Sequence, residues 1–516
     1  MNGELHAGSL SATLVGAELR DVRWGSLDLA SRILVTVRDA DWGTVAPIVR
    51  DFTIERSADA FFVELDAVHD DGAIAFGWRG WIEGHAAGTL TFAIEGSGER
   101  DCVYRRIGLC VLHPWGTYVD SAFQAATPDG WVEGIFPWVI VPQVLRDGVY
   151  QPMVPAFSEL RTHLRHDVDV SFVFEGELFE LEDQRNWTDA SFKTYSTPVA
   201  LSEPRPMSIG ERLGQRLTVE VEGSAPTEIV GVDGTQLRVG DATGRLVPPI
   251  GTIDAMPGAA HFRVSVDAGA GDIQAVHAAA ARGVPLELAL LVDEHGSGVD
   301  EFSSMLIDVP LARILIHLAS GATIPGDLVR SIRERLGRSV DGVPIVGGTR
   351  DFFSELNRHP PDGVAVDAIA FSISPAVHAT DQRSIMETLE IQWQVVRRAR
   401  ALANGLPIVI SPVVLGEHVG TPFADAWTIG SVAALTDAGV ASLTYETAAP
   451  ALAFVIRLHD AEMLEVTVSH PERVAALAAG TTLVIANLTP DLQRVRTDDG
   501  ALDPLTPYEV RVVSTG

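Results

Sequence analysis

Residues 182–195, Glu-Asp-Gln-Arg-Asn-Trp-Thr-Asp-Ala-Ser-Phe-Lys-Thr-Tyr, mix charged, amide and aromatic side chains more densely than any other stretch of the chain. Glu182, Asp183, Arg185, Asn186 and Asp189 fall within eight residues, Lys193 follows, and Trp187, Phe192 and Tyr195 are interleaved. Cores avoid such a mixture because an unpaired buried charge is costly, and solvated loops rarely carry so many rings. A partly desolvated pocket wall accommodates both, with the charges paired and the rings as its floor. The alternative is a structural charge network sealing a domain boundary.

Other chemistries leave no trace. No Gly-x-Ser-x-Gly elbow and no His-Glu-x-x-His helix occurs, which argues against a serine-hydrolase nucleophile and a zincin site. His163 and His166 with Asp167 have metal-capable spacing but no clear third ligand, so they are expected in an exposed turn. Cys102 and Cys110 are the two cysteines; neither a disulfide framework nor a Cys-x-x-Cys zinc site can be built from them.

The elements that must position these groups change character along the chain. Up to about residue 215, short alternating runs separated by Gly- and Asp-rich turns predict a β-sandwich. Examples are 32–38, 61–66, 73–78, 89–95 and 168–174; in the last, Val168, Val170, Phe172 and Phe174 share one face. From about 246, eight strand-like runs (249–253, 262–267, 286–293, 313–317, 344–348, 368–373, 407–411, 441–446) alternate with helix-like segments such as 327–336 and 385–403. That is the sequence form of a (β/α)8 TIM-like barrel. An open doubly wound sheet is the alternative, and no Gly-x-Gly-x-x-Gly supports it. Runs at 453–457, 464–468, 482–487 and 508–513 then predict a small C-terminal β domain. The expected division is 1–215 for the sandwich carrying the 182–195 stretch, 216–449 for the barrel and 450–516 for the last domain.

Barrel enzymes work at the carboxyl ends of their strands. Here those ends carry Asp267, Asp293, Glu294, His317, Arg350, Asp351, Glu355, Asn357, Ser374, His378, Asp381, Ser411, Tyr445 and Glu446. Asp293 and Asp351 read as helix caps, whereas His378 and Glu446 read as chemistry. A retaining glycosidase of the commonest type would need a carboxylate pair, about 5–5.5 Å apart, from the ends of strands four and seven. Neither end supplies one in its first few residues.

The 182–195 stretch followed by Ser-Thr-Pro resembles the signature of the D-apionate lactonase (D-apionolactonase) family, and Ile107-Gly-Leu-Cys-Val-Leu-His-Pro114 adds to the resemblance. Ser196 stands where the family pattern has cysteine. The resemblance implies hydrolysis of a branched-sugar lactone, D-apionolactone to D-apionate, in apiose catabolism. Opening a ring ester requires a general base for water, donors for the oxyanion and a proton for the departing hydroxyl. Glu182, Lys193, His378 and Glu446 are the expected catalytic groups. Asp183, Arg185, Asn186, Trp187, Tyr195, Arg350, Glu355, Asn357 and Tyr445 are the expected substrate contacts, in one pocket walled by the stretch and the barrel rim. A glycoside hydrolase and a non-catalytic sugar-binding protein remain the other readings. No cofactor is expected, and a divalent metal on the rim's Asp, Glu and His is left open.

The 516 residues are 46% hydrophobic and 21% charged, well-folded material for two or three domains. A formal net charge of −31 repels phosphate backbones and anionic lipid, so neither nucleic acid nor a membrane is an expected partner; a small-molecule sugar lactone is. No basic segment leading an apolar core opens the sequence, and no run approaches a membrane span, so a cytoplasmic protein is expected.

Overall fold

Strands that alternate apolar and polar side chains bury one face and wet the other. Val168–Glu175 does so as the sequence predicts, with Val168, Val170, Phe172 and Phe174 buried. The computed structural model describes residues 2–146, 149–201, 203–227, 234–253, 256–270, 273–363, 365–446, 449–498 and 500–514. The chain divides into two units, Met1–Arg185 with Ala190–Val230, and Asn186–Asp189 with Gly231–Gly516.

In the first unit two nine-stranded sheets form a β-sandwich. One sheet runs, in spatial order, Asn2–Ala7, Leu10–Val15, Glu18–Trp24, Leu27–Asp39, Cys102–Pro114, Ser191–Tyr195, Phe179–Asp183 and Val154–Phe157, with Arg205–Met207 also on Cys102–Pro114. The other centres on Val168–Glu175, Arg212–Glu222 and Thr89–Gly98. Aromatic side chains join them: Phe172 meets His113 edge-on at 4.8 Å, and Phe174 stacks on Phe179 at 4.2 Å. Arg212–Glu222 runs through position 215 and pairs with strands of this unit on both sides.

The second unit holds a closed barrel of eight parallel strands. They are β1 (Ile250–Thr252), β2 (Phe262–Asp267), β3 (Leu286–Val292), β4 (Leu311–Leu318), β5 (Ile345–Phe352), β6 (Ala368–Ile373), β7 (Ile408–Val413) and β8 (Ser442–Tyr445). Each falls on one of the eight runs read from the sequence. The helices that follow are α1 (Ile273–Ala280), α2 (Val299–Met305), α3 (Gly326–Leu336), α4 (Phe353–Arg358), α5 (Gln382–Glu387), α6 (Leu389–Leu402), α7 (Pro422–Asp437) and α8 (Leu452–Ile456). On α3, Val329, Ile332 and Leu336 lie on one buried stripe, the helical period. α7 starts at Thr421, whose hydroxyl accepts from Ala424 N, with Pro422 in its first turn.

Parallel strands inside a barrel are buried on both faces, so their alternation separates an interior from a helix-facing layer. Leu288, Leu290, Ile314 and Ile316 pack outward with the helices, whereas Ala289, Leu315, Val346, Ala368, Ala370 and Val409 fill the interior. The same parity turns Glu287, Arg313, His317 and Ser411 inward.

Some expectations fail. Residues 453–457 lie in helix α8 and its end, not in a strand; a five-residue apolar run cannot by itself be told from a helical turn. Asp293 and Asp351 do not cap helices, since the cap positions of α2 and α4 are Gly298 and Phe352. Asp293 instead accepts the amides of His295 and Ser297, both at 2.9 Å, within the loop after β3. The C-terminal sheet also takes a strand from before the barrel, Thr235–Leu246, which lies between Val495–Thr497 and Glu462–Val468.

Candidate active site

The barrel interior carries charge where branched aliphatic side chains normally sit. Glu287, on β3, is fully buried. Thr444 of β8 donates to its Oε1 at 2.9 Å, as does Ser411 of β7, and the Oε2 faces His261 at 3.5 Å and Arg313 at 3.7 Å. Arg263 of β2 donates to Ser411 and has Nη1 3.9 Å from the same carboxylate. Burial alone would raise the Glu287 pKa, but interaction with His261, Arg313 and Arg263 and the hydrogen bond from Ser411 overcome it and hold the carboxyl below its usual range. A carboxylate so neutralised is an anchor and a poor proton carrier.

Above that anchor the interior changes. His317 of β4 is fully buried, and among the described residues neither of its ring nitrogens has a hydrogen-bond partner. Burial pushes it down to about 3, and the charges of Arg263 and Arg350 act in the same direction, so the imidazole is neutral at physiological pH. Glu446, half-buried just past β8, and Arg350, exposed on β5, both act electrostatically on Arg263. Ser265, inward on β2, is exposed to solvent, so the barrel is open at its carboxyl mouth. A neutral imidazole with unmet hydrogen-bonding capacity beside two guanidinium groups can hold an oxyanion or a carboxylate.

Four residues of the 182–195 stretch belong to the same unit as the barrel. Asp189 Oδ2 lies 2.6 Å from Nδ1 of His378, five residues beyond β6. The Trp187 and His378 rings meet edge-to-face with centroids 5.5 Å apart, and the Arg358 guanidinium covers the Trp187 ring at 5.4 Å. Asn186 Oδ1 accepts from Asn357 of α4 at 2.8 Å, and Arg398 of α6 donates to Asn357 at 3.2 Å. Thr188, between Trp187 and Asp189, has φ of 74°. That conformation is unfavourable for a β-branched side chain, and such strain persists only where the surroundings fix it. The turn brings both flanking side chains to His378.

The rest of the stretch lies in the sandwich. Arg185 makes a two-bond fork on Asp183, 2.8 Å in each arm, and reaches the carbonyls of Pro137 at 2.7 Å and Trp138 at 3.0 Å. Val141 N also donates to Asp183 at 3.1 Å. These two residues, expected to touch substrate, are bonded to each other and to the 137–141 segment of the same unit. Glu182 accepts from Gln143 and from Tyr195 Oη at 2.8 Å, and the Lys193 nitrogen lies 4.7 Å over the Tyr195 ring.

Of the remaining expected contacts, Glu355 is engaged by Thr323 N at 3.1 Å and His359 at 2.9 Å. Tyr445 turns outward to donate to Ser431 of α7 at 3.0 Å, because Thr444 takes the inward position beside it. The sequence reading did not single out Arg263 or Glu287, nor join Asp189 to His378. A signal was present for two of them: Phe-Arg-Val and Leu-Glu-Leu place a charge inside strands that are otherwise apolar. Among the described residues, no three His, Cys, Asp or Glu side chains are grouped to hold a metal ion. His163 is exposed and paired with Asp169 at 2.9 Å.

Comparison with known families bears on the whole chain. Family models for the D-apionate lactonase N-terminal domain, TIM barrel domain and C-terminal immunoglobulin-like domain match residues 2–224, 252–478 and 471–513. The chain belongs to the D-apionate lactonase family. A member of this family is a hydrolase acting on lactone ester bonds. A curated family member, D-apionate lactonase of Brucella anthropi, is 26% identical over 452 residues, covering 79% of this chain and 72% of that protein. Solved structures give weaker likenesses. CelM2, a bifunctional glucanase-xylanase from a metagenome library, is 8% identical, covers 55% of this chain and 97% of its own, and has a TM-score of 0.41. Galactose 1-epimerase from Lactobacillus acidophilus NCFM is 8% identical, covers 43% and 95%, and has a TM-score of 0.29. Both scores are too low to carry a fold assignment. Among the described residues of this lactonase-family chain, no helix is long and apolar enough to cross a membrane.

Proposed function

We propose that the chain hydrolyses D-apionolactone to D-apionate, opening a branched-sugar lactone in apiose catabolism, with its chemistry at the carboxyl mouth of the barrel. The observation that carries the proposal is the Asp189–His378 pair at 2.6 Å. An acceptor on Nδ1 selects the tautomer in which Nε2 carries the lone pair, the arrangement of an imidazole general base. Nε2 takes a proton from water as the water oxygen adds to the lactone carbonyl. The imidazolium, stabilised by Asp189, then returns that proton to the ring oxygen as the C–O bond breaks, leaving a hydroxy acid. Arg350, Arg263 and neutral His317 are the groups suited to the oxyanion and the product carboxylate. Glu446 is the second candidate base. Trp187 offers a ring face or edge to the sugar, and Asn186 with Asn357 fixes the turn that carries it.

The test is acid release from D-apionolactone at constant pH, run beside a panel of other aldonolactones and chromogenic glycosides. Turnover of D-apionolactone above the other lactones supports the proposal. Turnover of glycosides alone makes the chain a glycosidase, and a rise in melting temperature with ligand but no turnover makes it a sugar-binding protein; either result overturns the proposal.

A further inference from the structure

Lysine and arginine together number 38 in this sequence, and Lys193 is the single lysine. Arginine is the stronger choice wherever a permanent charge or a forked hydrogen bond is needed. Arginine fills every other Lys/Arg position of this chain, and lysine stands at one. What lysine alone offers is a titratable, nucleophilic nitrogen.

The surroundings of Lys193 fit that reading. Its strand, Ser191–Tyr195, lies between Phe179–Asp183 and Cys102–Pro114, so Glu182, Lys193 and Leu112 form one row across the sheet and Glu180, Tyr195 and Cys110 another. The side chain is 9% exposed, and among the described residues no hydrogen bond or ion pair reaches its nitrogen. Its carboxylate neighbour is already engaged, since Glu182 accepts from Gln143 on one oxygen and from Tyr195 on the other. Glu180 is held by Arg106 at 3.0 Å and by Val199 N at 2.7 Å. The Tyr195 ring that supports the lysine is also covered by Arg106 at 3.8 Å. Burial, with Arg38 and Arg106 acting the same way, favours the neutral amine; Cys110 and Glu182 oppose them.

We propose that Lys193 is a reactive amine whose nitrogen adds to the carbonyl carbon of a small hydroxy-aldehyde, the open-chain form of a reducing sugar. The C–N bond forms as the carbonyl oxygen becomes a hydroxyl, with one proton passing from nitrogen to oxygen. Loss of water from this carbinolamine leaves an imine, with no net oxidation or reduction. The Tyr195 ring 4.7 Å from the nitrogen and the Glu182 carboxylate opposite Lys193 in the sheet give a hydroxylated ligand ring surface and an acceptor.

A chain with one lysine makes the test specific to the site. The protein is treated near neutral pH with glycolaldehyde and cyanoborohydride, which reduces the imine in place, and adducts are located by peptide mapping. Lys193 is expected to be labelled at least about tenfold faster than lysine in a blocked peptide, because burial favours its neutral, nucleophilic form. A reducing pentose should slow the labelling, and its alditol, which lacks the carbonyl, should not. An unlabelled Lys193, labelling no faster than the peptide, or equal protection by pentose and alditol would each overturn the proposal. Lys193→Arg, checked for an unchanged melting temperature, should abolish the internal adduct; an adduct persisting elsewhere in the sandwich at the same rate would overturn it as well.

Discussion

His378 and Asp189 separate catalysis from packing most sharply. His378→Asn should lower kcat by roughly 10²–10⁴-fold with little change in melting temperature. Asp189→Asn should lower it by about 10²-fold or more, because an amide can present its donor to Nδ1 and favour the wrong tautomer. The two losses should not add in the double variant, as expected for groups acting as a unit. Glu446→Gln decides between the candidate bases: a loss as large as that of His378→Asn moves the base role to Glu446, and a small one leaves it a neighbour of Arg263. Steady-state rates and melting curves on the same preparations answer all four questions.

Among the elements, the barrel strands carry the least expected load. A buried Glu287 facing Arg263, Arg313 and His261 means that β2, β3 and β4 are tied across the interior by charge as well as by aliphatic packing. Removing one partner of such a cluster leaves others buried and uncompensated, which typically costs about 3–5 kcal/mol. Glu287→Gln should therefore reduce the free energy of unfolding by about that amount, read from urea transitions of the second unit. If the midpoint is unchanged, the arginines have found water and the interior is wetter than its burial suggests. In the sandwich, Arg185 on Asp183 plays the corresponding part, and Asp183→Asn should destabilise the first unit before it changes any rate.

At the scale of the molecule, acid stability follows from four buried histidines. Burial pushes His69 and His261 down to about 4, and His113 and His317 down to about 3. In the unfolded chain each titrates near 6.5, so on acidification the unfolded state takes up protons first. Their contribution to stability is complete above about pH 6.5 and is lost as pH falls toward the folded values, at about 1.4 kcal/mol per pH unit for each residue. Unfolding by urea at about pH 7 and about pH 5 should show a marked drop. Equal midpoints would mean that these imidazoles are already protonated in the fold.

Local pattern was enough for much of this protein. Eight apolar runs at regular spacing can hardly be satisfied except by strands, and the helical segments between them exclude a simple meander, so the barrel was legible without coordinates. The density of charge and aromatics in 182–195 likewise marked a special segment, and its motif marked the family. What the chain could not state was which charges meet. Asp183 and Arg185 close on each other because they are two residues apart on one turn, while Asp189 finds His378 from 189 positions away. Facing direction was equally hidden. Thr444 and Tyr445 are adjacent letters, yet the pleat sends one into the barrel and the other to α7. Pairing across sequence distance and the choice of strand face belong to the tertiary structure, because each depends on the neighbour that arrives.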